Sequence, residues 1–269
     1  MAVFTDLSDN DRDEIAAAFG LLPLISVIGI ADGDTETTYL FRSRHGEFII
    51  TLFESGAEPF DLERAFQTME TLSMAGIPCP TTLRAQKNGA ATIQVSGKLV
   101  AAVSFVAGSP PRQPNIAKCT DLGSTIARMH QALMPSRNQP ALSLPRGPIH
   151  GALSLDNVFF VSDVVSGIIN FRLRHDEVLV AELADVLVAW TMYPDGSLDE
   201  DCAQAIVAGY TSVRSLEEKE WDALPVLVVS SAARLMAGST AGEQFLAFSS
   251  RCYTSAARLF ARLTTMVRT

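Results

Sequence analysis

Positive charge is scarce in this 269-residue chain: it has four lysines, and 21 basic residues stand against 30 acidic ones for a net charge of −9. A polyanion such as DNA is repelled by that field, which excludes nucleic acid as a partner. Cysteine is also sparse. The four, at 79, 119, 202 and 252, form no CxxC pair and no metal-like spacing with histidine, so neither a disulfide framework nor a zinc site is expected. Long apolar runs are missing too. Val178–Trp190 is broken by Glu182 and Asp185, and Leu224–Ser230 falls far short of the roughly 20 residues that span a bilayer. The opening MAVFTDLSDNDRDEI is acidic where a signal peptide would be basic. These features predict a protein of the cytoplasm, with no membrane partner. What is present, 48% hydrophobic and 19% charged residues, excludes disorder.

Along the chain, residues 7–19 read as a short helix capped by Ser8. LLPLISVIGI, ETTYLFRS and GEFIITLF follow as a three-stranded meander, then a helix over Leu62–Ala75 with Asp61 as its cap and Gly76 as its stop. Strands at Ala91–Val95 and Leu99–Val106 complete a lobe of five strands and one long helix, residues 1–107. GSPPRQPN (108–115) reads as a linker. The second lobe, 108–269, is mainly helical: 116–133, then a hairpin formed by DNVFF and SGIINF, then helices at about 180–191, 199–211, 216–222 extending on, and 225–266 with a break near Gly238–Gly242. Ser197/Glu200 and Ser215/Glu218 read as capping boxes. The fold class is α+β, with a ligand expected where two such lobes meet.

The stretch His150-Gly151-Ala152-Leu153-Ser154-Leu155-Asp156-Asn157, followed by Ile168-Ile169-Asn170-Phe171, carries the chemistry. It resembles the catalytic core of the aminoglycoside-phosphotransferase superfamily, H-G-D-x-x-x-x-N and then I-D-F. Within it, GEFIITLFES, LVAAVSFVAGSPPRQP and ELADVLVAW look most like the bacterial homoserine kinases of the kinase-like type. The resemblance implies a two-lobed protein-kinase-like fold, with ATP and magnesium as the cofactors of the relatives. It also implies roles. The aspartate after H-G is the base, while the Asn five residues later and the Asp before Phe hold the metal, as hard oxygen donors suit that ion.

This chain departs from that pattern. The base position is Ala152, whose methyl accepts no proton, and the metal aspartate is Asn170; Asn157 alone keeps its type. Losing a general base alone costs about 10²–10⁴ in rate. The resemblance places the nucleotide against Gly29, Gly33, Thr51, Val103 and Phe105, with Thr51 at the usual lysine position and Glu70 as that lysine's partner or else a solvated helix carboxylate. Asp156 is a substitute base in principle. Arg172 and Arg174 form an anion clamp beside Asn170, or ordinary surface charge. His150 is structural, and Glu182 supports the loop where relatives have Asp. His130 reads as packed or capping. The helical insertion of the relatives is absent between Met134 and Arg146. The sequence reading is therefore a kinase-like protein that has lost phosphotransfer and binds a small-molecule ligand or a protein partner. The alternative is an active ATP-dependent phosphotransferase with non-standard residues.

Overall fold

Ser8 opens the first helix as the sequence predicts. Its hydroxyl accepts the Asp11 N–H while the Asp11 carboxylate accepts the Ser8 N–H, a reciprocal cap that starts α1 (Asp9–Ala18). The computed structural model describes residues 5–32, 36–134, 143–171, 174–236 and 250–261. It divides into two compact units, Met1–Val106 and Ala107–Thr269.

In the first unit a six-stranded antiparallel sheet is built from β1 (Leu24–Asp32), β2 (Glu36–Ser43), β3 (Gly46–Phe53), β4 (Thr82–Leu83), β5 (Thr92–Val95) and β6 (Lys98–Ser104). Their order is β1-β2-β3-β6-β4, with β5 also paired to β6. The two-residue β4 exceeds the five strands expected; it is too short to leave a periodic pattern. Tyr39, Phe41, Ile50, Leu52, Val100 and Ala102 alternate onto one face and pack with Ile15, Phe19 and Leu21 of the α1 region. The residues between them, Thr51 and Val103 included, therefore stand on the opposite face. α2 (Pro59–Met74) begins a turn before its expected start, with Glu58 rather than Asp61 at the cap position. Proline at the first helical position explains this, because its fixed φ suits the helix and its missing N–H costs nothing there.

In the second unit α3 (Ile116–Leu133) occupies the predicted span and is capped by Asn115, which accepts the Lys118 N–H. Next come β7 (Arg146–Ile149), a 3₁₀ turn (Leu155–Asn157), the hairpin β8 (Val158–Val161) and β9 (Val164–Ile168), and β10 (Arg174–Val178). The polar RHDEV of β10 gives no strand signal, and its pairing with β7 was not foreseen. The helices are α4 (Leu179–Thr191), α5 (Glu200–Thr211) and α6 (Glu218–Met236), followed by a helical segment at 250–261. α5 is capped by Asp199, which accepts the Cys202 N–H, while Ser197 turns back onto Asp195; the expected Ser197/Glu200 box does not form. Glu218 opens α6 directly, so Ser215 is not its cap. No described helix is long and apolar enough to cross a membrane.

Two glycines let α3 and α5 touch backbone to backbone. A Cβ on Gly123 would lie 2.0 Å from the Ile206 carbonyl oxygen, and one on Gly209 would lie 2.0 Å from that of Thr120. The start of the proline-rich stretch is not loose. Ser109 and Phe160 exchange both backbone hydrogen bonds, and the Ser166 hydroxyl donates to the Ala107 carbonyl.

Candidate functional site

The loop after β7 is fastened residue by residue. The His150 ring is fully buried; its Nε2 donates to the Ile169 carbonyl at 2.9 Å and its Nδ1 accepts the Ala152 N–H at 3.1 Å. Phe171 packs on the ring at a centroid distance of 4.4 Å. Gly151, at φ +83°, donates its N–H to Glu182 Oε1 at 2.6 Å. Glu182 spans this gap and also reaches His130, whose Nε2 donates to Oε2 at 2.8 Å.

This contact begins a buried chain of partners. A carboxylate only accepts, so the His130 Nε2 carries the proton. Arg214 donates to the Tyr210 oxygen at 3.0 Å, which leaves the Tyr210 hydroxyl proton for His130 Nδ1 at 2.8 Å. Arg214 then ends on Glu220 with two bonds of 3.0 and 3.1 Å. Burial pushes the Glu182 carboxyl up, but the hydrogen bonds from His130 and from the Gly151 N–H outweigh it and hold the group below its ordinary range. The same burial raises the Tyr210 hydroxyl. Sequence reading gave His130 only a packing or capping role and missed Tyr210, Arg214 and Glu220. Tyr210, Arg214 and Glu220 lie within ten residues of one another, but Tyr210 is 80 residues from His130 and Glu182 is 52, and no local pattern joins them to it.

The two asparagines face each other. The Ala152 carbonyl can only accept, so it fixes Asn157 Nδ2 toward it at 2.8 Å and turns Oδ1 the other way. There Asn170 Nδ2 donates to Oδ1 at 2.8 Å. Asn170 holds φ +61°, a left-handed conformation that asparagine tolerates better than most residues. The oxygen a metal would use is thus taken by an amide N–H, and neither residue brings a carboxylate. Among the described residues no group of three His, Cys, Asp or Glu could hold a metal ion. This donor set does not fit magnesium.

The remaining expected residues fall as follows. The methyl of Ala152 offers no acceptor, and a cavity of about 170 Å³ opens beside it, lined also by Gly151, Ser154, Glu182, Asp185 and Val186. Asp156 is exposed on the 3₁₀ turn, and among the described residues nothing hydrogen-bonds its side chain, so it is not held as a positioned base would be. Arg174 is exposed and donates once, at 3.3 Å, to the Gly151 carbonyl; Arg172 lies outside the described residues. In the first unit Gly29 sits in β1 opposite Tyr39, and Gly33 lies outside the described residues. Thr51 pairs with Ala101 across β3 and β6, so it shares a face with Val103, and Phe105, just beyond β6, is 44% exposed. Glu70 has a different partner from the one expected: it forms a two-pronged pair with Arg84 at 2.7 and 3.1 Å and accepts the Thr82 hydroxyl. The Arg84 hydrogen bonds hold Glu70 below the usual carboxylate range. The region between Met134 and Arg146 lies largely outside the described residues.

Comparison with known proteins identifies the family and the fold. A family model described as phosphotransferase enzyme family matches residues 26–140. A homoserine kinase of Acidiphilium cryptum is 31% identical, covering 88% of this chain and 87% of its own. One from Methylobacterium radiotolerans is 32% identical over 88% and 86%. The first match runs over 278 positions, more than this chain's 269, so that relative holds residues absent here. The crystal structure of an aminoglycoside phosphotransferase from Alicyclobacillus acidocaldarius covers 99% of this chain and 98% of its own with a TM-score of 0.66 at 12% identity, a likeness of fold. That fold is the two-lobed, protein-kinase-like α+β fold. The chain belongs to the phosphotransferase enzyme family, among relatives that are homoserine kinases.

Proposed function

We propose that this protein no longer transfers phosphoryl groups and acts instead by binding, with a small-molecule ligand or a protein as its partner. One observation carries the reading. The loop keeps its shape around Gly151, while the base position is a methyl and the Asn157 oxygen is closed by the Asn170 amide. Phosphoryl transfer depends on positioning plus charge stabilisation, and both the proton acceptor and the cation seat are gone.

The test is product formation from homoserine and ATP with magnesium, for the parent chain and for an Ala152→Asp/Asn170→Asp double variant. The parent is expected to give no product above the protein-free control. Turnover by the parent that disappears in Asn157→Ala would overturn the proposal and return the alternative, an active phosphotransferase with displaced machinery.

A further inference from the structure

We infer that Cys119 on α3 and Cys202 on α5 are a modification site, a thiol pair that a small-molecule disulfide oxidises to a bond stapling the two helices together. The inference does not rest on the binding reading above. The two helices run the same way, since their contacts advance from Gly123 against Ile206 to His130 on Tyr210 and Gln131 on the Val213 carbonyl. One turn back from Gly123 and Ile206 stand Cys119 and Cys202, both free thiols and both buried. Their side chains hydrogen-bond to each other. The glycine contact brings the two backbones closer than side-chain packing usually allows, which suits a disulfide, whose Cα atoms stand about 4.4–6.8 Å apart.

The surroundings set when the pair reacts. Burial pushes both thiols up, and the Asp199 carboxylate near them pushes the same way. The thiolate is the reactive form, so both sulfurs are quiet while the helices stay closed and react when they open locally. Cys202, in the first turn of α5 and 5% exposed against 0% for Cys119, is the first to meet the oxidant. Its thiolate attacks one sulfur of the small disulfide, that S–S bond breaks, and one small thiol leaves with a proton. The Cys119 sulfur then attacks the Cys202 sulfur, gives up its proton and expels the second small thiol. The protein pair loses two electrons and two protons, and the small disulfide takes both to become two thiols. The new bond fixes the same helix pair that carries His130 and Tyr210.

The experiment incubates the folded full chain with 2-hydroxyethyl disulfide, then reads a non-reducing digest by mass spectrometry and the thermal midpoint, before and after dithiothreitol. The digest is expected to join Cys119 to Cys202 with the loss of two hydrogens. A staple closing so long a loop should raise the midpoint by about 5–10 °C, and dithiothreitol should reverse both changes. Cys119→Ala should abolish the link and the shift, with Cys202→Ser in its place if the alanine variant is unfolded. Cys79→Ser should keep both. The inference is overturned if Cys119 or Cys202 ends as a stable adduct of the small thiol, if the link runs through Cys79 or Cys252, if oxidation lowers the midpoint, or if no link forms at tens of millimolar. Neither homoserine nor ATP takes part, so this inference and the turnover proposal can each fail while the other stands.

Discussion

His150 is buried and bonded at both ring nitrogens, and Gly151 is gripped by the buried Glu182, whereas the side chains of Ala152 and Asp156, one and five residues further along the same loop, make no hydrogen bond among the described residues. The first pair ties the loop to α3, α4 and α5 through Glu182 and His130. The second pair occupies the positions where a reaction would be run. The contrast shows that holding a loop in shape and giving it chemistry are separate demands on the sequence. The groups that set the Gly151 N–H direction sit outside the loop, so a methyl at 152 leaves the scaffold intact.

The largest test of that contrast lies furthest from the loop. Gly123→Ala or Gly209→Ala puts a carbon 2.0 Å from a backbone oxygen, and α3 and α5 must separate to admit it, drawing His130 from Tyr210. A loss of about 3 kcal/mol or more is expected, lowering the midpoint in scanning calorimetry by at least about 6 °C. A fall under 2 °C would show that the crossing is not tight. Next in size is Glu182→Ala, which leaves the His130 Nε2–H and the Gly151 N–H buried without their acceptor. Urea unfolding should show about 2–4 kcal/mol lost, and a value under 1 kcal/mol would mean that the loop is held elsewhere.

The smallest effects belong to the reactive positions. Ala152→Asp should change stability by less than about 1 kcal/mol. Asn170→Asp replaces an N–H donor with an oxygen facing Asn157 Oδ1, and it should cost about 1 kcal/mol in EDTA, regained in millimolar MgCl₂. A metal-independent result would show that the two side chains turn apart.

Much of the scaffold could be read along the chain because it rests on local signals. The shift to helical composition beyond the prolines placed α3, and Ser8 with the acidic residues after it placed α1. The hairpin at β8 and β9 followed from two β-branched runs around a turn. Where local rules competed, the structure chose the alternative: Pro59 over Asp61, and Asp199 over Ser197. The site was legible by residue type at Ala152, Asn157 and Asn170, but its arrangement was not. That Asn170 spends its amide on Asn157, or that Glu70 spends its carboxylate on Arg84, depends on contacts 13 and 14 residues apart with no repeating pattern to announce them. β10 stayed hidden because β7 alone makes it a strand.

The hydrogen bonds of residues 107 to 109 to the hairpin also fix where the chain can be cut. β6 ends at Ser104, and the Phe105 N–H is already bonded to Glu47, so Val106 is the free stretch between two fastened segments. The prolines that follow belong to the surface of the second unit. A fragment begun after them would leave Phe160 and Ser166 without the partners that Ser109 and Ala107 supply, and would expose the edge of the hairpin on which the loop at 150–157 is built.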